Sequence, residues 1–337
     1  MDAGGSGVAS NYTDYTSEED LIDEMCKIET IPFREVINPV FFSAVVIFSL
    51  LGNILVMVLL AKYENLCSLT NALILNLAVS DLIFTVGLPF WAYHHMYGWN
   101  LGERACKIVS FIFYVGFYSS GILLIVMTVH RYVSVLRPLS DLVTSRGVVG
   151  VLVSVFIWGL GALAASPAWI FSKVVDEDTC GYEFEDKYWN NVSIYQQNIM
   201  FLVTMVIFCF CYSQILCRLV RSPAQKRSHR TLKLISTLVV VFFVGWAPYN
   251  VLQFLHTTAL FSECEDYTKW AYAFYICRLV AYSHCCLNPV LYVFVGVKFN
   301  NHLRRMLRGW GKRRNSLRSI HSRHTITSLT SWNEFSK

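Results

Sequence analysis

Five polar side chains, Asn53, Asn76, Asp81, Ser120 and Asn288, stand inside long apolar runs of this sequence. Asp81 is the one that ionises, in the run Asn76-Leu77-Ala78-Val79-Ser80-Asp81-Leu82. An ionisable group at membrane depth is expensive and marks function by default. If a helical bundle gathers these residues around one hydrated centre, two chemistries are open. One is hydrogen bonding between helices and nothing more. The other is a pocket for a small hard cation, a sodium ion acting allosterically, with Asp81 as the charged ligand and Ser120 and Asn288 as neutral donors. Trp246-Ala247-Pro248 sets an indole beside a proline that permits a kink, and both core packing and a switch role account for it. No other cofactor is expected. There is no serine–histidine–acid set, no His-Glu-x-x-His and no glycine-rich phosphate loop, so an enzyme is not expected. His94-His95 reads as a pair on an outer loop, too close in sequence to serve one site on a helix.

The elements that must position these groups are membrane spans. Of the 337 residues, 55% are hydrophobic and only 15% charged, against about 25% charged in soluble domains; the mean hydropathy is +0.44. Charge-free stretches run Val36–Ala61, Ile108–Val129, Gly147–Ser172, Val192–Cys217 and Leu234–Ser262. Two more are interrupted once, Ser68–Trp99 by Asp81 and Trp270–Val297 by Arg278. Each exceeds the ~18 residues that a spanning helix needs, and runs of this length satisfy their backbone inside a bilayer only as helices. Strands of a barrel would alternate over about ten residues instead. The expectation is an all-α membrane protein with seven transmembrane helices. Prolines at Pro89, Pro167, Pro248 and Pro289 punctuate the spans.

Charge sets the orientation. Residues 1–38 hold nine acidic and two basic side chains, whereas the segments after the fifth and seventh spans are rich in Arg and Lys. Basic loops stay cytoplasmic, which puts the N-terminus outside. With no apolar leader in the first forty residues, the first span is expected to act as its own insertion signal. Sequons at Asn11 and Asn191 both fall on expected outer segments, which suits glycosylation. The expected organisation is an acidic outer tail over 1–37, the bundle over 38–296, an amphipathic juxtamembrane helix over 297–309 and a Ser/Thr- and Arg-rich cytoplasmic tail over 310–337. In that short helix, Phe299, Leu303, Met306 and Leu307 share one face and basic residues the other, a pattern for lying on the inner leaflet. A transporter would show inverted repeats or paired broken spans, and none is legible.

Gly52-Asn53, Leu77-Ala78-Val79-Ser80-Asp81, Arg131-Tyr132, Trp158, Trp246-Ala247-Pro248 and Asn288-Pro289-Val290-Leu291-Tyr292 resemble the span-by-span signatures of rhodopsin-like G-protein-coupled receptors, in order and over nearly the whole chain. Within that class, Leu88-Pro89-Phe90-Trp91, Trp246-Ala247-Pro248-Tyr249-Asn250 and His284-Cys285-Cys286-Leu287-Asn288-Pro289 are similar to chemokine receptors. His130-Arg131-Tyr132, Ser283-His284-Cys285-Cys286, the run Val293–Phe299 and Arg278 resemble the XC-type (lymphotactin) receptors.

The resemblance implies a plasma-membrane receptor that binds a chemokine outside and a heterotrimeric G protein inside, the inhibitory class, giving calcium mobilisation and chemotaxis. Arrestin and receptor kinases are implied partners at the serine- and threonine-rich tail, and nucleic acid is not. Four outer cysteines allow three pairings; the resemblance selects Cys106 with Cys180 and Cys26 with Cys264. Acidic clusters on the tail and on the second and third outer loops suit a cationic partner, and Tyr12 and Tyr15 lie among acidic residues in a context for sulfation. The implied lining of the ligand cleft is Trp91, Tyr93, Phe113, Tyr114, Tyr195, Gln196, Tyr249, Gln253, Arg278 and Tyr282, an aromatic cleft with few polar anchors. Most chemokine receptors carry a glutamate where Arg278 stands, so the inserted end of the ligand is expected to offer a carboxylate or carbonyl.

Switch and coupling roles fall to His130, Arg131, Tyr132, Tyr212, Trp246, Pro248, Asn288, Pro289 and Tyr292. Family members commonly place an acid before the arginine; here His130 stands there and cannot be that counterion. Either Asp141 or backbone carbonyls restrain Arg131, or the resting state is weakly locked and basal signalling is raised. The missing acid also leaves open an arrestin-coupled scavenger that does not signal through G proteins.

Overall fold

The computed structural model describes residues 32–136, 146–175, 179–182, 187–221, 229–258, 264–295 and 299–308. They form α1 (Pro32–Tyr63), α2 (Leu69–Tyr97), α3 (Glu103–Leu136), α4 (Arg146–Phe171), β1 (Ser172–Val175), β2 (Thr179–Tyr182), α5 (Lys187–Arg221), α6 (His229–Thr258), α7 (Cys264–Tyr282) and α8 (His284–Val295). A last helix, α9, covers 299–308.

The bundle is apolar outside and polar inside. Val40, Phe48, Leu51, Val155 and Val206 are exposed, while Asn53, Ser80, Asp81 and Ser120 are buried. That inversion suits a surface solvated by lipid, whose tails are as apolar as leucine. Six helices, α1 to α6, are long and apolar enough to cross a membrane. The seventh crossing is the pair α7 and α8, divided at Ser283, so neither half qualifies alone. The amide of Ser283 is shared between the carbonyls of Leu279 (3.1 Å) and Val280 (3.2 Å), a local tightening of the turn. The single span expected from Trp270 to Val297 is thus a broken helix that starts earlier, at Cys264.

Other boundaries also differ from expectation. Helix α1 begins at Pro32, ahead of residue 38, because proline suits a first turn whose N–H needs no partner. It also contains Pro39. His94 and His95 lie in the last turn of α2 and not on a loop. That helix stops at Gly98, whose φ of 73° few other residues adopt and whose N–H returns to the His94 carbonyl.

Small residues let the helices close. A Cβ on Gly116 of α3 would sit 2.5 Å from the backbone nitrogen of Phe84 in α2, and one on Gly52 of α1 would sit 2.7 Å from Pro289. The same two helices join chemically. Pro289 has no N–H to give the carbonyl of Cys285, four residues back. Asn53 Nδ2 (2.9 Å) and Ser49 Oγ (3.4 Å) of α1 donate to that carbonyl instead. Backbone groups freed inside a bilayer need such partners. Ser166 does the same beside Pro167, donating to the Leu163 carbonyl at 2.8 Å.

Outside the bundle, β1 and β2 pair antiparallel, and Cys180 on β2 is bonded to Cys106 on α3 with a Cα–Cα distance of 5.6 Å. On the other side, α9 tucks Phe299 and Met306 inward, with Leu303 packed beside them. Leu307, assigned to the same face by spacing, is 55% exposed.

Candidate functional site

Three zones run through the bundle: an outer cleft, a polar centre and an inner arginine. The cleft is a cavity of about 160 Å³ lined by Trp91, Ser110, Tyr114, Ser172, Cys180, Gly181, Ser193, Ile194, Gln197 and Gln253. The disulfide fixes its lid, since it holds β2 against α3. Of the residues expected to line the cleft, Trp91, Tyr114 and Gln253 do. Phe113 lies beneath, in ring contact with Trp91 (5.8 Å), Tyr114 (5.5 Å) and Tyr282 (5.3 Å). Tyr249 stacks on Phe274 at 5.2 Å. The guanidinium of Arg278 lies over the Tyr275 ring, 5.8 Å from its centroid. Among the described residues no acidic side chain is within ion-pair distance of it.

Three expected lining residues turn elsewhere. Tyr195 is 39% exposed and meets Phe254 on the outer surface between α5 and α6; its neighbours Ser193, Ile194 and Gln197 face the cleft instead. Gln196 donates to the Ala164 carbonyl at 2.7 Å and fastens α5 to α4. Tyr93 accepts from Asn100 at 2.7 Å near the top of α2. Asn191 lies inside α5 and not on a loop, and the Ser193 of its sequon is buried.

Trp246 joins the cleft to the centre. It is 2% exposed, with its ring centroid 5.7 Å from Tyr249, 4.6 Å from Phe117 and 5.3 Å from His284. Beside it, Phe117, Gly121, Met200, Thr204 and Asn250 enclose a void of about 10 Å³, close to the least space that holds one water.

The polar centre is built on Asp81, which is fully buried. Its Oδ2 accepts from Asn288 Nδ2 at 2.8 Å and its Oδ1 from Ser120 Oγ at 3.3 Å. His284 Nε2 is 3.9 Å from Oδ1, while its Nδ1 lies 2.9 Å from the Ala281 carbonyl. Ser80 donates to the Gly116 carbonyl (2.8 Å) and touches Ser120 (3.0 Å). On the other flank Thr85 donates to the Asp81 carbonyl (2.6 Å) and meets Ser49 at 2.6 Å, which links Asn53 to the same centre.

Asn76 does not join it. Asn76 accepts from Trp158 Nε1 at 2.8 Å and donates to Ser154 at 2.9 Å, so it fastens α2 to α4. Ser49, Thr85 and His284 belong to this centre, although depth in the apolar runs does not point to them. Only His284 carried a signal, as an ionisable residue within an apolar run.

At the inner end, Arg131 Nη2 donates to Thr70 Oγ1 of α2 at 2.9 Å. That restraint is neither of the two expected, and Asp141 lies outside the described residues. His130 is in α3 directly before it, its carbonyl accepting from Ser134 at 2.8 Å. Tyr132 contacts Phe210. Tyr212 is buried beside Val135 and Ile215 and lies within electrostatic reach of Arg131. Tyr292 is fully buried, stacked on Phe299 at 5.3 Å. Tyr12, Tyr15, Asn11, Cys26 and the tail beyond 308 fall outside the described residues, and so does the Cys26–Cys264 expectation.

The comparisons agree with this geometry. The family model for "7 transmembrane receptor (rhodopsin family)" matches residues 52–292. Chemokine XC receptor 1 of Homo sapiens is 42% identical over 311 residues, 91% of each chain. Its Mus musculus counterpart is 42% identical over 294 residues, 87% of this chain and 90% of that one. C-C chemokine receptor type 3 of Cavia porcellus is 37% identical over 279 residues, 80% of this chain and 78% of that one.

Proposed function

Because the chain belongs to the rhodopsin family of seven-transmembrane receptors, and within it to the chemokine receptors, we propose that it binds a small basic chemokine of the XC type. The proposed response is activation of a heterotrimeric G protein of the inhibitory class, with calcium mobilisation and chemotaxis. The receptor sits in the plasma membrane with its acidic N-terminal segment outside, and arrestin and receptor kinases act on its basic cytoplasmic tail.

The observation that carries the ligand class is Arg278. Its guanidinium is held over an aromatic ring in the outer half of the bundle and meets no acid among the described residues. A planar fork of donors suits a carboxylate or carbonyl, so the inserted end of the chemokine presents one. The acidic outer segments steer its basic body. The response then passes through Trp246, which touches Tyr249 on the ligand side and His284 on the Asp81 side.

The donor set around Asp81 fits a sodium ion: a buried carboxylate with Ser120 and Asn288 at hand, and oxygen donors are what a hard cation takes. Asp81, Ser120 and Asn288 would hold the ion, whose positive charge would stabilise the resting arrangement. Chemokine affinity should therefore fall as sodium replaces an organic cation in the buffer, and Asp81→Asn should abolish that dependence.

The deciding experiment displaces labelled chemokines from cells expressing the receptor while following G-protein dissociation. An XC-type chemokine should bind, drive dissociation, and lose about tenfold or more in affinity on Arg278→Glu. Equal binding by Arg278→Glu would remove the anchor. His130 in place of the acid before Arg131 favours a second reading, an arrestin-coupled scavenger. Binding with arrestin recruitment but no dissociation of any G-protein class would select it.

A further inference from the structure

We infer that Asn38, at the outer end of α1, is a positioning residue for Arg278 and acts through Tyr275. The inference rests on the reading of Arg278 as the ligand anchor. Asn38 is fully buried, in the second turn of α1 beside Pro39. Its Oδ1 accepts a 2.6 Å hydrogen bond from the hydroxyl of Tyr275 on α7, joining residues 237 apart in sequence. Tyr275 is 6% exposed, so both ends of its side chain are fixed, one by the backbone and the other by the amide. One helical turn further on, Arg278 lies over the face of that ring, the neighbour that i, i+3 spacing supplies.

Two features favour a role beyond packing. The Nδ2 of Asn38 is buried with no hydrogen-bond partner among the described residues, a cost that an apolar side chain of similar size would avoid. Arg278, for its part, has a long flexible stem whose freedom is lost when a ligand is held. A guanidinium already resting on a locked ring loses less, and its fork of donors faces the ligand in one orientation. Tyr249 and Tyr282 lie within electrostatic reach of the same cation, but the ring beneath it is Tyr275.

The test is a double-mutant cycle on full-length receptor in cell membranes. It uses a labelled XC-type chemokine (lymphotactin), with surface receptor counted through an epitope tag. Tyr275→Phe keeps the ring and removes its tether, and Asn38→Ala removes the tether from the other side. Each should weaken binding roughly tenfold in the native background and less than about twofold when combined with Arg278→Gln. A role in packing alone would weaken binding equally in both backgrounds, and that result overturns the inference. Native affinity in Tyr275→Phe overturns it too. If Arg278→Gln alone binds like the native receptor, the anchor reading falls and takes this inference with it. If Arg278→Gln is weakened while Tyr275→Phe is not, the anchor stands and only the role of Asn38 is lost. Should Asn38→Ala fail to reach the surface, Tyr275→Phe decides, since it leaves the packing volume almost unchanged.

Discussion

The outer cleft and the Asp81 centre are held together by different means. Around Asp81, hydrogen bonds tie α1, α2, α3 and α8 into one cluster. The walls of the cleft meet mainly through rings, Trp91 with Phe113 and Phe113 with Tyr282. Among the described residues, Trp91 Nε1, Gln253 Oε1 and Arg278 Nε are buried there without a hydrogen-bond partner. Ring contacts tolerate small rearrangements, and unpaired polar atoms reward a ligand that pairs them. The Asp81 centre has unpaired atoms of its own among the described residues, Asn53 Oδ1 and His284 Nε2, but hydrogen bonds across four helices hold it in one arrangement. Substitutions at the centre should therefore act on the stability of the bundle, and substitutions in the cleft on affinity.

Three changes would break or sharpen that division. Gly116→Val, at the crossing of α2 and α3, places side-chain atoms against the backbone of Phe84. It should cost about 3 kcal/mol or more, read as loss of receptor from the cell surface. Asn53→Ala leaves the Cys285 carbonyl without its nearest donor and should cost about 2 kcal/mol. The thermal midpoint of the purified receptor should fall while chemokine affinity at low temperature stays near native. Gln253→Leu should leave that midpoint in place and weaken chemokine binding about threefold. A cleft change that lowers the midpoint more than Asn53→Ala does would end the comparison.

The sequence made some of this visible and hid the rest for physical reasons. Asp81 and Arg278 stand out because a charge in an apolar run has few innocent explanations; Asp81 is buried in the polar centre and Arg278 lies over the Tyr275 ring. The spans were legible from hydropathy. The break at Ser283 was not, because no local residue signals it. Ser49 and Thr85 were invisible because a hydroxyl in a helix commonly bonds its own preceding turn, as Thr128 does to Leu124. Asn76 had the right depth and the wrong face, and depth alone cannot tell a centre from a seam between α2 and α4. Tyr195 failed for the same reason. Of two polar-capable neighbours near the top of α5, only the direction of the helix decides which one meets the cavity.

The carbonyl released by Pro289 has a mechanical consequence. Since α1 holds it through Asn53 and Ser49, the lower part of the last crossing is latched to the first helix like a door to its frame, with Ser283 as the pin above the latch. Any swing that carries Tyr292 away from Phe299 must turn about that latch or tear it open. That peptide oxygen, together with the Asn288–Asp81 bond one turn below, sets where the last crossing can bend.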